Sequence, residues 1–269
     1  MSRKKTVLAV VAHADDLEFY AGGTVARFVR EKGYDVYELI LTDNSKGSHR
    51  LSREELIEAS AREAVEAGRV LGLKEVRLAG YADGELDGVD RAELRGRVME
   101  TIREVRADIV MGWDPFAPYE DHHDHRTAGM ATLEAASFSG MPLFYPEHQF
   151  EPFCVTEAYW FAKHPWNAET FVDISSTIDA KIEALLKHEC QMELTIDIAK
   201  CEAKAIGADL PMLQSLDRSG YGSVIDLAIR SVHAAVGAIA GMEFAEQLRY
   251  EKLGLLDRIL GMDLITPDF

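Results

Sequence analysis

The sequence predicts an α/β fold: a Rossmann-like, doubly wound, mostly parallel sheet with helices on both faces and a mainly helical C-terminal extension. Three observations predict it. Apolar runs of strand length, rich in β-branched residues, alternate with amphipathic stretches of helix length. The runs are continuous rather than alternating, as strands covered on both faces of a parallel sheet are. Polar segments follow the strands, where such sheets place their ligand-binding loops. With 269 residues, 47% of them hydrophobic, the chain is long enough to bury one large core. Residues 1–206 are expected to form that core, and residues 207–269 an extension packed on the same domain.

Val7 to Val11 reads as a buried strand running into the polar loop His13-Ala14-Asp15-Asp16. Gly22-Gly23-Thr24 then opens a helix with Val25, Phe28 and Val29 on one face, closing at Arg30-Glu31-Lys32 and Gly33. Gly22-Gly23 lacks the spacing of a dinucleotide fingerprint, so tight helix packing is the expected reason for the pair. Val36 to Leu41 is a second strand, Arg53 to Leu71 a long amphipathic helix ending at Gly72, and Glu75 to Leu78 a third strand. Arg91 to Val105 is a helix and Ile109-Val110-Met111 a fourth strand. Further strands are expected at Val155 to Phe161 and near Phe171-Val172, a helical pattern from Thr177 to about Ile206, and an apolar helix around Val224 to Ala238. Right-handed crossovers would bring three polar segments together at the strand ends: His13 to Glu18, Thr42 to Gly47, and Asp114 to His125.

Composition narrows the function. Against 29 Lys and Arg stand 46 Asp and Glu, a formal charge of −17, which repels a polyphosphate backbone or an anionic bilayer. Nucleic acid and membrane are therefore not expected as partners. Cys154, Cys190 and Cys201 have neither framework nor metal-site spacing, and suit a reducing cytoplasm. Arg3-Lys4-Lys5 before Val7 to Ala12 imitates a short leader, but the apolar run is brief and Asp15-Asp16 follow at once.

The chemistry gathers in two clusters. His13-Ala14-Asp15-Asp16 offers an imidazole and two carboxylates at one strand end, and His122-His123-Asp124-His125 offers three imidazoles and a carboxylate at another. Imidazole and carboxylate are the donors that zinc takes, and a catalytic zinc keeps three protein ligands and an open position. Adjacent Asp15 and Asp16 point different ways, so one can bind metal while the other faces the reacting water. His49, His148, His164, His188 and His233 are scattered, and each is expected to be structural or on the surface.

These residues carry a resemblance. The segment Ala12 to Thr24, AHADDLEFYAGGT, resembles the AHPDDxE…GGT signature of the LmbE-like, or PIG-L, family of zinc-dependent N-acetylglucosaminyl deacetylases, and His122 to His125 is similar to that family's HxDH motif. Weaker matches run on at Thr42-Asp43-Asn44 with Gly47, Glu63 to Gly72, Val172-Asp173-Ile174 with Lys181 and His188, and Phe244-Ala245-Glu246. Ala14 stands for the family's Pro, Asn44 for a Gly, and Cys190 for a Ser; Asn44 remains compatible with a left-handed backbone. Carried over by position, the resemblance implies that His13, Asp16 and His125 bind Zn2+, or another divalent metal such as Fe2+. It likewise makes Asp15 the general base, His122 in protonated form the oxyanion stabiliser, and Asp124 the partner that orients His122. Ser45, Lys46, Arg53, Tyr119, Glu120 and Asp121 are candidates to line the sugar pocket.

The implied reaction is hydrolysis of an acetamide on an N-acetylglucosamine-type small molecule, giving acetate and a free amine. The family's substrates include glucosaminyl-inositol and glucosaminyl-malate conjugates, chito-oligosaccharides, glycolipids and antibiotic intermediates. Family members commonly form homo-oligomers, to which the apolar tail Leu253 to Leu260 could contribute. The alternatives are a metal-dependent amidase of another small-molecule amide and a non-catalytic sugar-binding relative; the latter is disfavoured because no ligand or base of the motifs is missing. An HxD…H iron oxygenase would need an all-β jelly roll, and a DHH phosphoesterase a DxD pair that adjacent Asp15-Asp16 do not supply.

Overall fold

The structure, a computed structural model, describes residues 4–269; Arg3 of the leader-like basic triplet lies outside them. A seven-stranded sheet forms the centre, with β1 (Thr6–Val11), β2 (Asp35–Thr42), β3 (Glu75–Tyr81), β4 (Ile109–Trp113), β5 (Glu157–Phe161), β6 (Thr170–Asp173) and β7 (Ala245–Lys252) in the order β3-β2-β1-β4-β5-β7-β6. The first five strands are parallel, and β7 runs antiparallel to both β5 and β6. From β1 the chain moves outward to β2 and β3, then returns across β1 to form β4. The boundary between β1 and β4 is thus the switch point where such sheets open a crevice.

The helices are α1 (Asp16–Arg30), α2 (Arg53–Leu71), α3 (Arg91–Val105), α4 (His123–Phe138), α5 (Ile178–Leu185), α6 (Glu189–Ala205), α7 (Pro211–Ser215), α8 (Arg218–Ala240) and α9 (Leu256–Leu260). Two apolar clusters sandwich the sheet. Ala9, Val11, Val36 and Ile40 face Leu17, Val25 and Phe28 of α1 and Leu71 of α2; Leu8, Val10, Leu39 and Leu41 face Val98 and Ile102 of α3 and Ala131 of α4. Val7 to Val11 are wholly buried, as their unbroken apolar run requires. Ser52 and Glu55 form a reciprocal cap that starts α2, and Gly72, at φ 85°, ends it as expected.

Several elements differ from the sequence reading, among them α4, which was not assigned. Helix α1 begins at Asp16, well before Gly22-Gly23, because Asp16 and Glu18 suit the positive end of a helix and the motif loop is only a turn long. The helical pattern from Thr177 to Ile206 is broken at Leu186-Lys187-His188, where the chain turns to bury His188 beside Glu18, with Nε2 3.4 Å from Oε2. Strand β7 was not assigned at all. It threads between β5 and β6, and its Glu246 ties the sheet edge to the motif helix: Gly23 N–H, Thr24 N–H, Thr24 Oγ1 and Lys181 Nζ all donate to its carboxylate, at 2.6–3.0 Å. A Cβ on Gly23 would sit 2.7 Å from the Ile174 side chain, so the glycine pair does serve close packing.

Among the described residues one helix, α8, is long and apolar enough by length and composition to cross a membrane. Its Tyr221, Ile225, Ile229, His233 and Gly237 are buried against the body, while Leu227, Val232 and Ile239 are exposed. The apolar residues Leu255, Leu256, Ile259 and Leu260 near the C-terminus are exposed too.

Candidate active site

The C-terminal ends of β1, β2, β3 and β4 each deliver part of one cluster. β1 ends in the turn that carries His13 and Asp15 into the start of α1. Beyond β4, the chain reaches α4, whose first turn holds the second motif: His122 is the N-cap and accepts the Asp124 N–H at Nδ1, 3.3 Å away. Gly129 lets α4 approach this strand end, since a Cβ there would stand 2.4 Å from the Trp113 carbonyl oxygen.

Three donor atoms converge. His13 Nδ1 lies 3.1 Å from His125 Nε2, His125 Nε2 3.4 Å from Asp16 Oδ1, and His13 Nδ1 3.7 Å from Asp16 Oδ1. Atoms about 2.0–2.1 Å from a tetrahedral zinc stand about 3.3 Å apart, so this triangle has the span of three zinc ligands. The remaining valences hold each ligand in place. Asp16 Oδ2 accepts the N–H groups of Ala12 and His13 and Nε1–H of Trp113, which leaves Oδ1 for the triangle. His125 pairs through Nδ1 with Glu120 Oε1 at 3.1 Å, and its ring stacks on Trp113 at 3.7 Å. His13 Nε2 lies 3.3 Å from Asp83 Oδ1 and 3.5 Å from Asp124 Oδ2. Each imidazole therefore offers one nitrogen to a carboxylate and turns the other inward, as histidines that ligate metals do.

Two other groupings lie close enough to share a cation: His13 with His122 and His125, and His13 with Asp83 and Asp124. Backbone donors engage both oxygens of Asp124 and one oxygen of Asp83. Lys46 N–H binds Asp83, and the N–H groups of Gly84 and Leu86 bind the two oxygens of Asp124. Asp83 and Asp124 thus stand on the side of His13 away from His125 and Asp16 Oδ1.

Charge agrees with this arrangement. Burial alone would lower the His13 pKa, yet Asp124, Asp16 and Asp83 raise it well above the imidazole range, so the site favours positive charge. Burial opposes ionisation of Asp16, but His125 and His13 hold its carboxyl far below the usual range. Asp15 goes the other way: burial first, then the Asp16 charge, push it up to about 6. Its side chain caps no helix N–H and lines a cavity of about 250 Å³ with His13, Asp16, Tyr20, Asn44 and Gly47. His122 is pushed down to about 4, by burial first and then by His13 and His125, which in this arrangement favours the neutral ring over the protonated one. With Nδ1 accepting a backbone N–H, its proton sits on Nε2.

The other expected residues scatter. Glu120 is buried and holds His125, the His122 N–H and Lys163. Asp124 faces His13 and His123; it meets His122 through its backbone. Ser45 is buried beside the cavity, Lys46 pairs with Glu85, and Arg53 pairs with Asp43. Asp121 pairs with Lys163 on the surface, and Tyr119 is 86% exposed with φ 60°. Asn44 has the left-handed backbone that its replacement of Gly suggested, φ 54°, and its Oδ1 accepts the Ala14 N–H. The sequence reading missed Asp83, Trp113, Tyr20 and Gln191. Asp83 is a single acid in a turn after β3, and only its strand-end position could have drawn attention to it.

The GlcNAc-PI de-N-acetylase family, PIG-L, matches residues 8–136. Diacetylchitobiose deacetylase of Thermococcus kodakarensis is 34% identical over 192 residues, 70% of each chain. The chain belongs to the PIG-L, LmbE-like family. In fold it is similar to the N,N'-diacetylchitobiose deacetylase of Pyrococcus horikoshii, with TM-score 0.74, 24% identity, and 94% of this chain and 85% of that one covered. It is also similar to GalB, the 4-carboxy-2-hydroxymuconate hydratase of Pseudomonas putida KT2440, with TM-score 0.67, 18% identity, and 98% and 99% covered. Its relatives include several named deacetylases alongside a 4-oxalmesaconate hydratase of Pseudomonas putida, 28% identical over 192 residues, and by the former the chain is an enzyme of the amide-hydrolysing kind.

Proposed function

We propose that this chain is a zinc-dependent N-deacetylase of the cytoplasm, which releases acetate and a free amine from an N-acetylglucosamine-type small molecule. The observation that carries the reading is the convergence of His13 Nδ1, His125 Nε2 and Asp16 Oδ1, with Glu120 hydrogen-bonded behind His125, Trp113 behind Asp16, and the Asp83 carboxylate within ion-pair distance behind His13. Two imidazole nitrogens 3.1 Å apart, backed by carboxylates on their far sides, fit a cation between them. His13, Asp16 and His125 would hold a divalent cation there, which would supply Lewis acidity for the amide carbonyl and the attacking water.

The chain's own residues do the rest. Asp15, ionised at neutral pH but more basic than an ordinary aspartate, takes the proton of the attacking water. His122 donates its Nε2–H to the carbonyl oxygen as that oxygen gains charge. A neutral His122 has no spare acidic proton, so Asp15 returns the proton to the departing amine. Asn44, Gly47 and Gln191 line the nearby cavity, where the sugar would lie.

Because the same fold also occurs in a hydratase, fold alone does not select the amide. The test is to incubate the zinc-loaded protein with N-acetylglucosamine conjugates and to quantify acetate and amine together. Equal amounts of both are expected. No acetate from any conjugate, with metal bound, would overturn the reading.

A further inference from the structure

Phe19 and Tyr20 of α1 line two separate cavities, the one of about 250 Å³ that holds Asp15, Asp16 and His125 and a second of about 320 Å³. Among the described residues no other lines both, so these two rings are the shared wall. Asp16 and Tyr20 stand four residues apart in α1, which puts them one turn from each other on the same helix face. Two neighbours fix the Tyr20 ring. It tilts against Trp113 with centroids 4.7 Å apart and stacks on Phe161 at 5.8 Å. Trp113 in turn stacks on His125 at 3.7 Å and donates to Asp16 Oδ2. Burial first, then the charges of Asp16, Glu120 and Asp15, push the Tyr20 phenol pKa up, as expected of a hydroxyl that lies near the acids of the site. A ring held by two aromatic neighbours is a fixed wall, not a swinging gate.

The walls of the catalytic cavity differ in kind: Asn44, Asp83 and Gln191 offer polar groups, whereas Phe19 and Tyr20 offer aromatic faces. An N-acetylated sugar presents two unlike groups at its amide, a hydroxylated ring on the nitrogen and a methyl on the carbonyl carbon. Hydroxyls that leave water need hydrogen-bond partners, and a methyl needs none. The sugar therefore belongs with Asn44 and Gln191, and the methyl against Tyr20. An acyl chain longer than acetyl would meet the ring. The cavity on its far side has Phe161, Ile229 and Val232 in its lining, apolar surface on which extra methylenes are favourably buried.

We propose that the Tyr20 ring sets the acyl length this active site accepts, a role that rests on the deacetylase reading and names the residue that confines it to acetyl. Removing the ring opens the shared wall and lets a longer acyl chain pass into the second cavity.

The experiment measures free amine released from methyl β-glucosaminides carrying N-acetyl, N-butanoyl or N-hexanoyl groups by the zinc-loaded wild type, Tyr20→Ala and Tyr20→Phe. Binding of acetate and hexanoate to each protein is followed by calorimetry. In the wild type, kcat/KM for the acetyl amide should exceed that for the hexanoyl amide at least about a hundredfold. Tyr20→Ala should raise the hexanoyl-to-acetyl ratio at least about tenfold and bind hexanoate at least about tenfold more tightly than the wild type does. Tyr20→Phe keeps the ring and should hold the wild-type ratio within about threefold. Tyr20→Leu, which removes the ring but keeps an apolar contact for Trp113, is carried alongside, so that a collapse of the Ala variant leaves the same readout. An unchanged ratio in the ring-less variants, with zinc retained, would overturn the role of Tyr20, and so would a wild type that cleaves the hexanoyl amide as readily as the acetyl one. A Tyr20→Phe ratio equal to that of Tyr20→Ala would overturn it too, because the hydroxyl and not the ring would then set the limit. Absence of amine from all three amides with the wild type would overturn the deacetylase reading and the acyl limit with it.

Discussion

His13 and His125 divide their ring nitrogens in the same way, one toward a carboxylate and one toward a shared point. The outer carboxylates should therefore matter to metal affinity although they touch no metal. Glu120→Gln keeps a hydrogen bond to His125 but loses the charge, and zinc affinity measured by chelator competition should weaken about 10–100-fold. Unchanged affinity would show that Glu120 does not support the ligand. Asp15 has a separate role. Asp15→Ala should retain metal near the wild-type level while kcat falls by about 10²–10⁴-fold; joint loss of metal and activity would make Asp15 a ligand. The donor that His122 offers also bears on rate. His122→Ala should lower kcat with KM little changed, because its donor is needed only as the oxygen becomes charged, and a pure KM effect would reassign it to substrate binding.

Among the elements, α1 matters most, because it carries Asp16, Tyr20 and Thr24 and is tied to the distant strand β7 through Glu246. Lys181 Nζ lies 2.6 Å from Glu246 Oε1, and both side chains are wholly buried. Lys181→Met would leave that carboxylate without its cation, at an expected cost of about 3–5 kcal/mol in urea unfolding. A cost below about 1 kcal/mol would mean that Thr24 and the backbone donors suffice to hold it. This tie gives a physical reason for four separated stretches of the family resemblance, Gly22-Gly23-Thr24, Val172-Asp173-Ile174, Lys181 and Phe244-Ala245-Glu246, which meet around one carboxylate and one close packing contact.

At the scale of the whole molecule, the parallel half of the sheet was legible because its strands are buried on both faces and say so in unbroken apolar runs such as Val7 to Val11. Strand β7 was not, because Glu246, Gln247, Arg249 and Glu251 interrupt its apolar pattern; they are used in side-chain pairs that only the folded sheet reveals. The two motif clusters were visible as His and Asp runs at strand ends, and the structure brings His13 Nδ1, Asp16 Oδ1 and His125 Nε2 together. Asp83 was invisible for the opposite reason: a lone acid has no pattern, and only the parallel pairing of β2 with β3 carries it to His13. Glu120 was noticed, but sequence could not separate a side chain that meets substrate from one that holds a histidine. The most direct test of the central claim is the metal content of purified wild type, His13→Ala and His125→Ala by elemental mass spectrometry. About one divalent cation per wild-type chain is expected, with a loss of at least about tenfold in each variant. Unchanged stoichiometry in both variants would contradict it.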